Sequence, residues 1–450
     1  MSDDDYNFYA PGDYPSDYPN DEQRQFLSAI CSKRENAMQD FIWQRGAKTG
    51  YFYKSLSMME LAAKYDSEQG VKALLDAKIN PNDIAYEWSM PALGYAVLND
   101  NLSMAKLLLE RGADPNMYYD YYKYHDNPTK KYPLGLAIEM DSPLMVHQLL
   151  KRGANANTLH VGEPLIVLAA KKAHPCVIDL LAENGADINA QDKDGNTALH
   201  IAALTGNTRL VKKLIEKYHA NTLIQNNNKD LPMHLAMQNP NFEVLKLLQT
   251  HGTPIFQENI GKESVASLAV KSNNQEILHK IFHWLHPYEA VYLKDDNLNA
   301  LLPIAACLPL PIATHHLAKH VTNFNEPTED GKTALHKICR RGNMNQFRAL
   351  MAYSESINFN QQDLCGNTAL HYACDKQYKE IISTLLEKGA DCKIKNYFGK
   401  DVIEMLEQKG DKETIAFIEQ KINKGKTNAV IVIKHKTTNS LDKSQERQNS

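Results

Sequence analysis

Thr197-Ala198-Leu199-His200-Ile201-Ala202-Ala203 is repeated further along the chain as Thr333-Ala334-Leu335-His336-Lys337-Ile338-Cys339. It returns again as Thr368-Ala369-Leu370-His371-Tyr372-Ala373-Cys374. Each copy leads, after a short turn, into an apolar helical pattern such as Leu210-Val211-Leu214-Ile215. The unit then closes on Gly-Ala-Asp or a relative: Gly112-Ala113-Asp114, Gly153-Ala154-Asn155, Gly185-Ala186-Asp187 and Gly389-Ala390-Asp391. Weaker copies fall in the same frame, at Tyr132-Pro133-Leu134-Gly135-Leu136-Ala137 and Leu231-Pro232-Met233-His234-Leu235-Ala236. Further units start at Gln25, Ser57, Pro91, Pro164, Ser264, Ala300 and Lys400. Successive starts lie about 32 to 36 residues apart, with one longer step of about 41 between Pro91 and Tyr132.

Each part of the unit has a physical reason. Thr at the head of the first helix offers a side-chain oxygen to exposed backbone N–H groups, and Pro133 and Pro232 suit a first turn that needs no amide donor. Leu199 and Ala202 lie three apart on one face, where the small Ala admits a close neighbour. Gly after the second helix takes the left-handed conformation that stops it. Asp194-Gly195, Asp330-Gly331 and Cys365-Gly366 supply tight-turn chemistry before the next unit. One unit cannot bury its apolar face, so stacking must create the core.

These residues resemble the ankyrin repeat, whose pattern is T-P-L-H-x-A in a unit of about 33 residues. The resemblance covers 21–422 and implies an all-α solenoid of about eleven or twelve helix-turn-helix units joined by short β-hairpin loops. It implies inter-repeat hydrogen bonding for His200, His234, His336 and His371. The first unit (Arg24, Lys33, Arg34, Glu35) and the last (Glu404, Glu407, Lys409, Glu413) carry the polar positions expected of solenoid caps. A break between sub-arrays is a candidate at 283–317, where Trp284, Pro287, Pro303, Pro309 and Pro311 interrupt two units. Pro303 stands in the motif His position and disturbs its helix unless it lies near the start.

Composition narrows the function classes. The chain has 450 residues, 43% hydrophobic and 23% charged, with a net charge of −4, which argues against a broadly basic nucleic-acid binder. Its mean hydropathy is −0.48. Seven cysteines without a CxxC pair favour reduced thiols over disulfides or a zinc module. The uncharged apolar run 300–313 is shorter than the ~20 residues of a membrane span and contains three prolines. No basic start followed by an apolar stretch opens the chain, so no secretory signal is expected. Residues 1–20 read as an acidic, Tyr-rich disordered tail and 423–450 as a basic flexible one, apart from Ala429-Val430-Ile431-Val432-Ile433.

No catalytic signature, cofactor motif or metal-ligand set emerges. Gly331-Lys332-Thr333 and Gly425-Lys426-Thr427 imitate the end of a phosphate loop but lack its earlier Gly. His279 with His283, and His316 with His320, are spaced four apart without supporting Cys or carboxylates. His371 and Cys374 permit one enzymatic alternative, a cysteine-dependent hydrolase, although Cys374 occupies a small-residue core position.

The reading is therefore a non-enzymatic scaffold, monomeric, that binds another protein through its concave face and hairpin tips. Neither nucleic acid nor membrane is a partner. The long step holds Met117 to Asp126, and Tyr118, Tyr119, Tyr121, Tyr122 and Tyr124 are candidate contacts there, since insertions in repeat arrays map to loops on the binding face. Asp194 and Asp330 are candidates at turn tips. Leu181, Asp187, Ile188 and Asn189 match the spacing read by the asparaginyl hydroxylase of ankyrin repeats, which makes Asn189 a candidate modification site. Degenerate, Asn- and Lys-rich repeats with a polar basic tail resemble the ankyrin effectors that intracellular bacteria such as Legionella and Coxiella send through type IV secretion. That resemblance implies virulence activity in the host cytoplasm; an ordinary cytosolic adaptor is the alternative.

Overall fold

A computed structural model describes residues 28–29, 56–85, 89–121, 129–272, 274–284, 298–308 and 311–423. The acidic tail, nearly all of the first expected unit, Tyr122, Tyr124 and 424–450 lie outside them. The chain forms two compact units, divided between Thr253 and Pro254. That division falls before the interruption read at 283–317.

In the first unit the helices are α1 (Met58–Lys64), α2 (Glu68–Asp76), α3 (Ala92–Leu98), α4 (Leu102–Glu110), α5 (Pro133–Glu139) and α6 (Pro143–Lys151). They continue as α7 (Leu165–Lys171), α8 (Pro175–Glu183), α9 (Ala198–Leu204), α10 (Thr208–Lys212), α11 (Pro232–Ala236) and α12 (Phe242–Thr250). The first helices of successive repeats stack in one row, α1 on α3, α5, α7, α9 and α11 in turn, with the second helices beside them. The second unit repeats this with α13 (Val265–Ser272), α14 (Gln275–Trp284), α15 (Leu301–Ala305), α16 (Ile312–Ala318), α17 (Ala334–Arg341), α18 (Met344–Met351), α19 (Ala369–Asp375), α20 (Lys379–Glu387) and α21 (Val402–Lys409), followed by a helix over 412–423.

The motif residues do what their chemistry requires. Thr197 is extended and its hydroxyl oxygen accepts the His200 amide, which caps α9. Pro133 and Pro232 open α5 and α11. Leu199, Ala202, Leu210, Val211, Leu214 and Ile215 are all buried; each large aliphatic among them contributes roughly 1.5–3 kcal/mol. Their register survives although α10 widens into a π turn over Lys213–Lys217. Gly112 and Gly185 stop their helices at φ +95 and +83. Pro303 is buried as the third residue of α15, within the first turn, where its missing N–H costs no helical bond.

The loops differ from expectation. Among the described residues only two antiparallel ladders form: β1 (Tyr119–Tyr121) with β2 (Thr129–Lys131), and β3 (Leu159–His160) with β4 (Glu163–Pro164). Elsewhere the hairpin shrinks to a turn. At Asp192–Asn196, for example, Asp192 N–H donates to Asn196 O at 2.9 Å and Gly195 N–H to Asp192 O at 2.9 Å. No helix among the described residues is long and apolar enough to cross a membrane.

Candidate functional site

The motif histidines are structural. In each of three repeats the ring Nδ1 accepts the N–H of the capping Thr: Thr197 to His200 at 3.2 Å, Thr333 to His336 at 3.2 Å, Thr368 to His371 at 3.1 Å. Nε2 must then carry the proton. It donates to a carbonyl of the following repeat, Asp230 O at 3.0 Å, Asn367 O at 3.1 Å and Lys400 O at 3.4 Å. Burial holds all three imidazoles below their ordinary pKa, so they stay neutral. The inter-repeat bonds expected of His200, His336 and His371 are present, and His234 Nδ1 accepts the Leu231 N–H at 3.1 Å in the same way as the other three rings.

A second row joins the turns. Asn82 donates through Nδ2 to Gly112 O at 3.0 Å while its Oδ1 accepts Asp114 N–H at 2.7 Å. Asn116 makes the same pair with Gly153 and Asn155, Asn157 with Gly185 and Asp187, and Asn360 with Gly389 and Asp391. The Asn that closes Gly-Ala-Asp-x-Asn is the signal for this row, and spacing of the helical motif alone passes over it. Asn189 belongs here: its Oδ1 accepts Asn221 N–H at 2.9 Å. The row stops at Leu223, whose exposed side chain has no amide to continue it.

The tyrosine insertion departs from expectation at its base. Tyr119 does not project; it is only 6% exposed and faces the core, which removes it as a contact. Tyr121 ends β1, and Tyr122 and Tyr124 lie outside the described residues. Tyr118 is 38% exposed, with its ring 5.6 Å from that of Tyr132 and Lys130 Nζ 4.1 Å above it. Lys130 O in turn accepts Val161 N–H at 3.1 Å. Tyr118 and Val161 thus adjoin Lys130, Leu159 lies two residues from Val161, and all four side chains are exposed.

Beneath this group sits a substitution of one residue's role by another. Gly135 stands where the motif places His. The buried ring of His160, from the next repeat, fills the vacant space: its Nδ1 accepts Tyr132 N–H at 3.2 Å, as His200 does for Thr197. A Cβ added at Gly135 would fall within that ring. Nε2 faces Glu139 Oε2 at 3.3 Å, near enough for charge attraction though not aligned as a hydrogen bond, and Lys131 Nζ reaches the same oxygen at 3.1 Å. Burial alone raises the Glu139 pKa, but His160 and Lys131 outweigh it and bring it to about 2.

At the turn tips, Asp194 is exposed and its carbonyl accepts Asn227 N–H at 3.0 Å. Asp330 spends its carboxylate within its own turn, on the Thr328 hydroxyl at 2.5 Å and Lys332 Nζ at 2.9 Å, and these donors hold it below the usual range against the opposing effect of burial. The apolar tips were not foreseen: Leu364 is 66% exposed, Tyr397 75% and Phe398 76%.

The hydrolase pair does not form. Cys374 is fully buried, and burial pushes its thiol pKa well up, away from the reactive thiolate. Both ring nitrogens of His371 are already committed. His279 meets His316 across α14 and α16 with ring centroids 5.8 Å apart, but no group of three or more metal-ligating side chains exists among the described residues.

A family profile described as ankyrin repeats in three copies matches residues 58–160, 134–226, 165–259 and 266–396. A putative ankyrin repeat protein of fowlpox virus, FPV031, is 30% identical over 163 residues, 35% of this chain and 46% of its own. Mouse inversin is 29% identical over 195 residues, 40% of this chain and 17% of its own. The Arabidopsis thaliana E3 ubiquitin-protein ligase KEG is 24% identical over 280 residues, 59% of this chain and 15% of its own. The alignments span less than half of each relative's length.

Proposed function

Since the chain belongs to the ankyrin-repeat family, we propose that it is a protein-binding scaffold without catalysis of its own, working as a monomer through its concave face and turn tips. The observation that supports this most is the exposed group of Tyr118, Leu159 and Val161 around Lys130, held on a rigid base by β1, β2 and the buried His160. Apolar side chains kept in water beside a cation fit a partner segment that brings both apolar surface and a carboxylate. Tyr122 and Tyr124, further along the same stretch of sequence, are proposed to extend that contact. The exposed carboxylate of Asp194 is a lesser contact on the same row.

Tyr118→Ala combined with Val161→Asp tests the surface. Affinity for a partner captured by the wild-type chain is expected to fall by about 2 kcal/mol or more. The helical signal and melting temperature should hardly move, because neither side chain is in the stacked core. Unchanged affinity, or loss of binding only in proportion to loss of fold, refutes this surface.

The finer reading, delivery by an intracellular bacterium into host cytoplasm, is supported by the Asn- and Lys-rich repeats and the basic 424–450 segment. The viral, animal and plant relatives favour instead a protein acting in the cell that makes it. A reporter enzyme carrying residues 424–450 separates the two by whether it is translocated. In a cell that contains the ankyrin hydroxylase, Asn189 is its substrate here, and a mass gain of one oxygen on the peptide 185–191 is the readout.

A further inference from the structure

Val161 stands in a backbone conformation that its own side chain disfavours. The turns that lead into successive repeats have a regular length: Asn189 precedes the capping Thr197 by eight residues, and Asn325 and Asn360 precede Thr333 and Thr368 by the same interval. Asn157 precedes its cap, Pro164, by only seven. The longer turns close a three-residue loop, as Asp192 does on Asn196 and Asp363 on Asn367, and only the last loop residue, Gly195 or Gly366, is left-handed. One residue fewer leaves Val161-Gly162 to join β3 to β4, and both are left-handed, with φ of +54 and +78. A two-residue loop of this kind matches the twist of the strands it connects, and asparagine followed by glycine is the pair that suits it.

Valine does not suit it. Its branched Cβ crowds the backbone at positive φ. Nine other non-glycine residues among those described share the left-handed region, and none of them is β-branched. An outlier of this kind weakens its turn by roughly tenfold. Packing does not offset the loss, because the isopropyl group is 40% exposed. Backbone bonding does not explain the choice either, since the Val161 N–H that donates to Lys130 O at 3.1 Å is a group asparagine also has. Nor does His160 require it: strand alternation turns His160 inward next to exposed Leu159, whatever residue stands at 161.

We propose that Val161 is the specificity-determining residue of the hairpin surface, where its isopropyl group, held out beside Leu159 on a strained loop, packs against an apolar side chain of the partner segment. This rests on that surface being the binding site, and it gives the reason that a residue unfavourable for folding stands at its tip. Asparagine at 161 would make a firmer hairpin and a poorer contact, so folding and binding are opposed at this position.

Two measurements on the full chain test this. Hydrogen exchange of the peptide 157–164, read by mass spectrometry and corrected for intrinsic rates, should slow by about tenfold in Val161→Asn. Leu144→Asn, at an apolar side chain 69% exposed on α6, should leave it unaltered. For binding, a random peptide library displayed on phage is selected on the wild-type chain and depleted on the Tyr118→Ala, Val161→Asp double variant. Peptides that survive should bind Val161→Asn about thirtyfold more weakly or worse, and Leu144→Asn within about twofold of wild type. Exchange that is unchanged or faster in Val161→Asn removes the strain and overturns the proposal. Peptides that lose affinity with Tyr118→Ala yet bind Val161→Asn as they bind wild type also overturn it, and leave the surface itself standing. If depletion leaves no peptide, the surface fails and the role of Val161 fails with it.

Discussion

Replacing Gly135 by Ala should destabilise the array, although the same change in an open helix does the reverse. A helix-interior Gly→Ala ordinarily gains about 1 kcal/mol. Here the new methyl meets the buried His160 ring, with the His160 Cβ only 2.5 Å away. Overpacking of this kind costs about 1–3 kcal/mol. Displacing the ring also leaves Tyr132 N–H without its 3.2 Å acceptor, and an orphaned buried donor costs a further 1–3 kcal/mol or so. The net is a loss of about 3 kcal/mol. With His160→Ala in place the obstacle is gone, and Gly135→Ala should then stabilise by about 1 kcal/mol. Because repeat arrays need not unfold in one step, the assay is native-state hydrogen exchange on the peptide 133–139, run as a double-mutant cycle. The same sign for Gly135→Ala in both backgrounds would refute the idea that His160 fills the motif position.

Leu199→Ala, a core truncation in the best-formed repeat, should cost about 2–5 kcal/mol, whereas changes at exposed Glu407 or Glu413 should stay within about 0.5 kcal/mol; urea titrations compare them. A thiol probe on the folded chain should label exposed Cys176 and Cys365 and spare Cys339 and Cys374; selective labelling of Cys374 would revive the hydrolase alternative. Burial depresses His200, His336 and His371, so the unfolded chain binds protons first. Their contribution is complete above about pH 6.5 and is lost as pH falls from there toward the depressed native values. Unfolding midpoints taken between about pH 7.5 and about 5 should decline with acid, and less steeply in His336→Gln.

The frame of the fold is legible in the sequence because it is written repeatedly and locally. Thr197, His200, Leu199 and Ala202 each act within one helical turn, so spacing alone assigns them. The inter-repeat role of the histidines comes from the family resemblance rather than from spacing, and not every first helix carries one, as Gly135 shows. What spacing does not reveal is which way a single residue of an insertion turns. Tyr118 and Tyr119 are neighbours of the same type, yet an extended backbone sends one toward solvent and the other into the core. Five tyrosines within 118–124 carry no alternation from which to choose between them.

Gly135 and His160 show the second limit. In sequence, Gly135 reads as a decayed motif and His160 as a stray loop residue, since the two are separated by most of a repeat. In three dimensions they are complementary: losing a side chain at one position makes room for the ring at the other, and the Tyr132 amide keeps an imidazole acceptor throughout. What the stack demands is an acceptor at that amide, and the chain meets the demand from whichever repeat can reach it. The Asn row has the opposite character, because Asn82, Asn116 and Asn157 recur in phase and each is satisfied from the turn directly ahead. Its interruption at Leu223 follows from side-chain chemistry alone: an aliphatic group can neither donate to a turn carbonyl nor accept the amide that follows. Degenerate repeats are thus of two kinds, those whose lost bond is remade by a neighbour and those where it is left open. Both kinds leave apolar side chains exposed at the turns, Leu159 and Val161 beside the first and Leu223 at the second, and these are the places to look for partners.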